Sequence, residues 1–528
     1  MAALSAPATF PGAIMHTLAA PIHALPLDIM RVVAGGVLFV YFANALRQAR
    51  DFSDPDGLID HRLSARLFPP TRISLFQPGM PGWVFRTVYL CACVAAVLVI
   101  LGWHPRTAAA FLFVAAVSTY RWNALVAYLD DCIVHLFCLW LILLPVGSTL
   151  SLPDLVGAGA AVAGPTASAW ATETVPGTAP RAFMINMALI YLVAGLYKFS
   201  SPMWRGGSAM HAALKMQIAR TPDFWSIRHR RILRLVTWAA LVLEPLFVLI
   251  FVLPAGSAAK WALLAAAAVF HLGIIATLKI PYSNALMLAA LALPFAPEIM
   301  QGISPDITAL AAGSASGLAA PALATTAPAA SPGPADITAL TLVALLAIMS
   351  VWQAVRAWRH LPKPGQPYSG KAWANPVRAL LWLAGLFQSY RLFDWVDERN
   401  YHARYEVRSL RAGRERSIEP RKLFPESMRH LLLQSYFLGN VWLQMEPEKL
   451  AAVRGSLLER HARRFARAHP DAGDIEAVAF VQRITPDNLE LTRGERLPLM
   501  RFTCADGQAV VHLPDGPPPE SALRRGPD

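Results

Sequence analysis

The stretch Ile190-Tyr-Leu-Val-Ala-Gly-Leu-Tyr-Lys-Phe-Ser-Ser-Pro-Met-Trp-Arg-Gly-Gly207 decides the fold class. It begins as an apolar run suited to a lipid bilayer, and that run ends on Lys198, with Trp204 and two glycines close behind. A lysine in this position has two explanations. It can be an anchor whose side chain reaches the lipid surface. Alternatively, partial desolvation can disfavour its ammonium form, so that it acts as a base near neutral pH.

The composition of the whole chain predicts a membrane protein. Of the 528 residues, 55% are hydrophobic and 15% are charged, whereas soluble domains carry about 25% charge. Apolar windows approach the roughly 20 residues needed to cross a bilayer in nine places. These windows are 27–47, 83–103, 107–127, 131–147, 182–199, 232–253, 258–279, 281–300 and 337–358. We therefore predict an all-α polytopic membrane bundle of about nine transmembrane helices.

A C-terminal α+β soluble domain is expected after the last span. We divide the chain into an N-terminal segment (1–26), a transmembrane domain (27–300), an Ala/Pro-rich linker (301–336), a last transmembrane helix (337–358) and a tail (359–528). Apolar content and aromatic anchors predict an interfacial helix at 376–395. Periodicity predicts an amphipathic helix at 448–469 and strands at 476–484, 497–504 and 508–513, and residues 401–407 also alternate between polar and apolar. Arginines on the amphipathic helix favour a solvated face or a contact with lipid headgroups.

The distribution of basic residues predicts the orientation. Lys and Arg are concentrated in 47–82, in 198–231 and after 358, and they are absent from 148–180 and 301–336. The predicted location is the inner (plasma) membrane. The positive-inside rule then places the N-terminus outside and the tail on the cytoplasmic side. The net charge of +13 suits a lipid bilayer as partner, and the chain lacks the basic clusters with interleaved aromatics that would favour nucleic acid.

Several polar residues lie inside the apolar windows. Such residues usually face the protein interior with a partner and often mark function. They include Arg31 with Asp28 three residues before it, Asp131 with Asp130 just before its window, and, in three later windows, Glu244, His271 and Asn284. Each has a structural alternative, for example an interfacial ion pair or a buried pair that fixes helix register.

The absence of familiar catalytic and metal-binding motifs argues against several classes of function. The apolar runs carry no His-Glu-x-x-His or paired Cys-x-x-Cys pattern, so no metal site is predicted. The chain also lacks a Walker-type loop and a Gly-x-Ser-x-Gly elbow, which argues against an ATP-driven pump and a serine hydrolase.

Four motifs, in this order, resemble the HTTM family, the bacterial transmembrane relatives of vitamin K-dependent gamma-glutamyl carboxylase. Leu27-Asp-Ile-Met-Arg-Val-Val-Ala-Gly-Gly36 is similar to its Arg-Ile-x-x-Gly opening, and Val99-Ile-Leu-Gly-Trp-His-Pro-Arg106 is similar to its turn between spans. Residues 129–154 resemble its Gly-Asp, Pro-x-Gly and Ser-x-Asp sequence. Residues 190–207 resemble its Tyr-x-x-Ala-Gly-x-x-Lys followed by Trp-x-x-Gly. The resemblance covers roughly 27–300.

The resemblance implies a site and a substrate class. In the carboxylase, the lysine matching Lys198 initiates chemistry on vitamin K hydroquinone. The expected catalytic residues are Lys198, Glu244, His271 and Asp131, and the expected substrate-binding residues are Arg31, Tyr191, Trp204 and Asn284. A quinone or vitamin K-like molecule is the implied cofactor, and a quinol or a peptide or protein is the implied substrate.

Two departures from the family limit what it implies. The carboxylase has a functional histidine after a Trp-Asn pair, where this chain reads Trp122-Asn123-Ala124-Leu125. The carboxylase also has a large lumenal domain, whereas this tail is small. Glutamate carboxylation itself is therefore not expected. Three hypotheses stay open: a carboxylase-like or oxidoreductase-type intramembrane enzyme, a non-catalytic scaffold or maturation factor, and a proton-linked transporter. The transporter is disfavoured because no inverted repeat is visible.

Overall fold

The computed structural model shows a helical molecule with a C-terminal sheet. The residues it describes are 18–67, 73–153, 173–300, 334–360, 401–411, 414–438, 447–484, 490–491 and 494–514. The predicted linker lies outside these ranges except for its last three residues, which begin a helix. The predicted interfacial helix at 376–395 lies wholly outside them. Both segments stay predictions.

Nine helices of at least 10 residues occupy the predicted membrane region of the described chain. They are α1 (Ala24–Arg47), α2 (Gly82–Leu101), α3 (Pro105–Trp122), α4 (Leu129–Leu143), α5 (Thr178–Lys198), α6 (Arg230–Leu246), α7 (Ala258–Thr277), α8 (Pro281–Ala290) and α9 (Pro334–His360). Five of them, α1, α2, α5, α6 and α7, belong to segments long and apolar enough to cross a membrane. This finding supports a multi-pass membrane protein, and the other four spans stay predictions.

Two of the predicted spans are shorter than the sequence suggests. α4 has 15 residues and α8 has 10, which at about 1.5 Å per residue gives lengths of about 22 and 15 Å. Both fall short of the hydrocarbon core, which is about 30 Å thick. α8 starts where the carboxylate of Asp130 accepts hydrogen bonds from the backbone N–H groups of Tyr282 and Ser283, at 3.2 and 3.1 Å. Asp130 is therefore a helix cap that joins α4 to α8.

The tight turn between α2 and α3 follows from its sequence. α2 ends at Leu101, and the next residue, Gly102, has the left-handed φ of +66° that glycine adopts at little cost. α3 begins at Pro105, whose fixed φ and missing N–H suit the first residue of a helix. These two residues reverse the chain within a few positions and bring α2 and α3 into contact.

Seven strands form two sheets in the described chain, and the larger sheet belongs to the tail. A small two-stranded antiparallel sheet pairs β1 (Ile22–His23) with β2 (Thr174–Val175). The tail contains β3 (Tyr401–Arg411), β4 (Arg414–Ile418), β5 (Gly473–Arg483), β6 (Glu495–Ala505) and β7 (Gln508–His512), together with helices α10 (Met428–Phe437) and α11 (Pro447–Ala468). Its sheet is antiparallel throughout, in the order β4-β3-β5-β6-β7.

The predicted α+β character of the tail is confirmed. Helix α11 buries Val453, Leu457 and Phe465 against the sheet, as its apolar periodicity predicts. The predicted strands correspond to β3, β5, β6 and β7. Strand β4 and helix α10 were not predicted, because β4 is strongly charged and α10 is only 10 residues long.

The tail packs directly on the transmembrane domain. Arg460 donates hydrogen bonds to the backbone oxygens of Pro55 and Gly57 at 2.9 and 2.8 Å, and Arg464 lies 2.7 Å from Asp51. The basic face of α11, predicted to be solvated or to contact lipid headgroups, therefore partly lies against the loop after α1. The prediction missed this contact because periodicity shows which face is polar and does not show what covers it.

Candidate functional site

Lys198 and Glu244 form a buried ion pair at the centre of the candidate site. Lys198 is the last residue of α5, and Glu244 lies near the end of α6. The Nζ of Lys198 donates to Oε2 of Glu244, and each residue is only 2% exposed. The ring centroid of Trp204, also buried, is 5.4 Å from Nζ. The ammonium group thus faces the protein interior and does not reach the lipid surface as a snorkelling anchor would.

A glycine lets α5 and α6 approach closely enough for this pair to form. Gly195 lies one turn before Lys198, and a Cβ placed on it would be 2.5 Å from Cδ of Pro245. Pro245 directly follows Glu244 and sits inside α6. The family-like Ala-Gly-x-x-Lys spacing therefore has a packing reason, since it puts the closest helix contact beside the ion pair.

Gly195→Ala is expected to destabilise the protein by about 1–3 kcal/mol, because the added methyl group overpacks the contact with Pro245. The expected readout is a lower midpoint of thermal unfolding for the protein in detergent. Gly273→Ala in α7 is the matched control, because a Cβ there meets no atom within 4 Å. A glycine inside a helix costs stability relative to alanine, so the control should be neutral or stabilising. Equal effects at both positions would contradict the close-packing explanation.

Tyr191, His271 and Asn284 form a second buried hydrogen-bonded chain. The hydroxyl of Tyr191 is 2.8 Å from Nε2 of His271, and Nδ1 of His271 is 2.9 Å from Oδ1 of Asn284. The Nδ2 of Asn284 donates to the carbonyl of Ile280 at 2.8 Å, which fixes the amide orientation. Its Oδ1 only accepts, so Nδ1 of a neutral His271 carries the proton and Nε2 accepts from Tyr191.

This chain and the ion pair share one face of α5. Tyr191 and Lys198 are separated by about two helical turns, or about 10 Å along the axis. Four of the predicted residues thus approach α5 from separate elements: Glu244 from α6, His271 from α7, Asn284 from α8 and Trp204 from the short helix Pro202–Gly206.

Asp131 belongs to a different cluster. Its carboxylate accepts from the Tyr41 hydroxyl at 2.6 Å, from the Tyr128 backbone N–H at 3.0 Å and from Arg429 at 2.6 Å. The predicted catalytic residues therefore do not form one network, since the hydrogen bonds of Asp131 lead to α1 and to the tail. Its catalytic role stays a prediction.

Arg429 is the important residue that the sequence did not reveal. It is 7% exposed, and its guanidinium lies 5.9 and 5.4 Å from the ring centroids of Tyr41 and Tyr128. Burial alone would lower the pKa of Arg429, but the neighbouring Asp131 carboxylate raises it well above its usual value. The guanidinium stays charged and joins the tail to α1 and α4. No local pattern around position 429 distinguishes it from the many other arginines of the tail.

Arg31 and Asp28 hold two loops together. The Arg31 guanidinium donates to Asp28 at 2.8 Å and to four backbone oxygens, those of Val99, Ile100, Thr149 and Leu150. Asp28 also accepts from the backbone N–H groups of Gly147 and Thr149 at 2.6 and 2.7 Å. This geometry ties the turn after α2 to the loop after α4. A substrate-binding role for Arg31 stays a prediction.

A second buried lysine pair was also missed. Lys260 donates to Glu298 at 2.9 Å and to the carbonyl of Pro294 at 2.6 Å. The backbone N–H of Gly256 donates to the same carboxylate oxygen at 3.0 Å. The contacts of Lys260 with Pro294 and Glu298 join the first turn of α7 to the segment after α8. This pair offers a comparison for Lys198, because it has similar chemistry without the Tyr191–His271 chain as neighbour.

Within the described ranges, no cluster of three or more His, Cys, Asp or Glu residues has an arrangement that could hold a metal ion. A scan against protein-family models and searches of curated proteins and solved structures found no match for this chain. The helices and the sheet define the class, a multi-pass membrane protein whose C-terminal domain has a five-stranded antiparallel sheet.

Proposed function

We propose that this chain is an intramembrane enzyme of the HTTM type, related to vitamin K-dependent gamma-glutamyl carboxylase. In this proposal Lys198 is a general base that acts on a quinol or another lipid-soluble substrate. The observation that carries the proposal is the buried ion pair between Lys198 and Glu244, next to Trp204.

The ion pair gives a chemical route to a neutral amine. In a low-dielectric interior, moving one proton from the Lys198 ammonium to the Glu244 carboxylate converts two buried charges into two neutral groups. The free amine of Lys198 then accepts a proton from a substrate hydroxyl. The ring of Trp204 is close enough to stabilise the ammonium that forms.

The Tyr191–His271–Asn284 chain supplies a second proton-transfer group. The Nε2 of His271 holds the Tyr191 hydroxyl in place, and Asn284 fixes the ring orientation. Tyr191 therefore presents a positioned hydroxyl two turns from Lys198. In the proposal, the Tyr191 oxygen accepts a hydrogen bond from the far end of an extended aromatic substrate. When the substrate proton moves onto that oxygen, Nε2 of His271 takes up the tyrosine proton and becomes an imidazolium.

The orientation belongs to the same proposal. The N-terminus lies outside, and the tail lies on the cytoplasmic side of the inner membrane, where the basic loops are concentrated. Contacts of the tail with the loop after α1, which belongs to one of the basic segments, and with the residues between α3 and α4 support this orientation.

The second candidate function is a non-catalytic scaffold or maturation factor. The contacts of Arg31 and Arg429 favour it, because these buried charges bind backbone and side-chain groups of the protein itself. In this alternative the Lys198–Glu244 pair fixes the register of α5 and α6, and the exposed surface of the tail binds a partner.

The enzyme proposal predicts that a quinone co-purifies with the protein in detergent. We expect organic extraction followed by chromatography and mass spectrometry to recover quinone in stoichiometric amount from the wild type. Trp204→Leu should lose it, because the apolar wall beside Lys198 is reduced. Trp261→Leu is the control at a half-exposed tryptophan, and it should retain the quinone. Equal quinone content in both variants, or none in the wild type, would count against a quinol substrate.

A further inference from the structure

We propose that a pocket beside the short helix His61–Leu67 binds the headgroup of an anionic phospholipid. The pocket has a volume of about 440 Å³, which falls in the range of small-molecule sites. It lies between this helix, the segment before α2 and the end of α3. It is separate from the Lys198 site, so the inference goes beyond the proposed function.

The floor of the pocket is aromatic. Phe76 and Trp122 are buried beneath it, and the His61 ring stacks on Trp122 with centroids 4.0 Å apart. Burial lowers the pKa of His61 to about 3, so the imidazole is neutral at physiological pH. The floor therefore contributes no charge, and it offers an aromatic surface to the carbon atoms of a headgroup.

The rim of the pocket is cationic. Arg62 and Arg66 line it, and both residues are exposed. They are four residues apart on one helix, so they project from the same side of the helix and lie close together. Two neighbouring guanidinium groups match the charge and geometry of a phosphate. The rim therefore selects an anionic group.

A buried hydroxyl in the pocket wall also requires a partner. Ser64 lines the pocket and is 2% exposed, and its Oγ makes no hydrogen bond within the described part of the chain. Such atoms are uncommon in proteins and call for an explanation. Because Oγ is itself buried, a phosphate or glycerol oxygen held by the two arginines would complete this hydrogen bond after the Ser64 side chain rotates towards the pocket.

The surroundings identify a bilayer lipid as the source of this phosphate. Ile73, Leu75 and Trp83 flank the pocket in sequence and are exposed, with Trp83 at 64%. Exposed apolar side chains beside the start of a membrane-length helix are what a bilayer would cover, and tryptophan favours the headgroup level. The anionic phosphate would therefore arrive on acyl chains that lie against this apolar edge.

The test uses the full-length protein, delipidated in detergent and titrated with phosphatidylglycerol or phosphatidylcholine by native mass spectrometry. We expect preferential binding of phosphatidylglycerol. Combining Arg62→Gln with Arg66→Gln should weaken that binding by about thirtyfold, the effect of two surface charges. Combining Arg228→Gln with Arg231→Gln removes the same charge from two other exposed arginines and should have little effect.

A steric variant separates pocket binding from general charge. Ala65→Phe fills the pocket without changing its charge, and it should abolish the preference for phosphatidylglycerol. Equal binding of the two lipids would overturn the proposal, as would an equal loss in both arginine pairs or no loss in Ala65→Phe. Saturable binding of glycerol 3-phosphate without a lipid preference would assign the pocket to a soluble ligand and would also overturn it.

Discussion

Lys198→Arg is expected to abolish function while the protein stays folded. Arginine keeps the positive charge opposite Glu244, but it does not give up its proton at any working pH. General bases contribute about 10²–10⁴ in rate, so in-cell function, measured by complementation of a deletion strain, should fall by at least about a hundredfold. Expression and the unfolding midpoint should stay close to those of the wild type.

The chain contains its own control for this substitution. Lys260 forms the other buried pair, with Glu298 at 2.9 Å, and Lys260→Arg makes the same chemical change outside the proposed site. Lys260→Arg should retain function. Full complementation by folded Lys198→Arg would end the catalytic hypothesis and leave the scaffold alternative standing.

Removing the charge of Lys198 tests what the ion pair does for stability. Lys198→Met leaves the Glu244 carboxylate buried without its partner, which typically costs about 3–5 kcal/mol. Replacing both residues, with Lys198→Met and Glu244→Leu together, should recover much of that stability because apolar pairs replace buried ion pairs well. If Lys198 is a base, the double variant stays inactive although it is stable. If the pair only fixes register, the double variant regains function.

Arg429→Met is expected to cause the largest loss of stability among substitutions in the tail. Arg429 is the charged partner of Asp131, whose carboxylate is fully buried, so its removal leaves an uncompensated charge and should cost about 3–5 kcal/mol. Tryptophan fluorescence during denaturant unfolding in detergent measures the loss. Limited proteolysis should show faster cleavage of the tail, because the contact that joins it to α1 and α4 is lost.

An exposed ion pair in the same domain gives the comparison. Arg408 lies 3.0 Å from Glu406 on the sheet surface, where solvent screens the interaction, so Arg408→Met should change stability little. A double-mutant cycle of Arg429→Met with Asp131→Asn should lose less than the sum of the single losses, since the residues are in direct contact. Strict additivity would show that Asp131 and Arg429 are not coupled.

The sequence by itself determined the class of the protein and much of its secondary structure. Composition and window length predicted a membrane protein, and α1, α2, α5, α6 and α7 lie where five of the windows were placed. Alternation and helical periodicity predicted most of the tail sheet and the buried face of α11. These features follow from local patterns, because the surroundings of a segment (water, lipid or protein core) determine which residues it carries and how its apolar residues are spaced.

Only the tertiary structure decided which polar residues meet. Lys198 and Glu244 are separated by 46 positions, and Asp131 and Arg429 by 298. The sequence marked Lys198, Glu244 and Asp131 as polar groups in an apolar environment, and it gave no sign that Arg429 would enter that environment. A charged residue in an apolar stretch of sequence indicates that its side chain needs a partner. Which partner it has depends on how helices and domains pack, because that packing brings distant side chains within hydrogen-bonding distance.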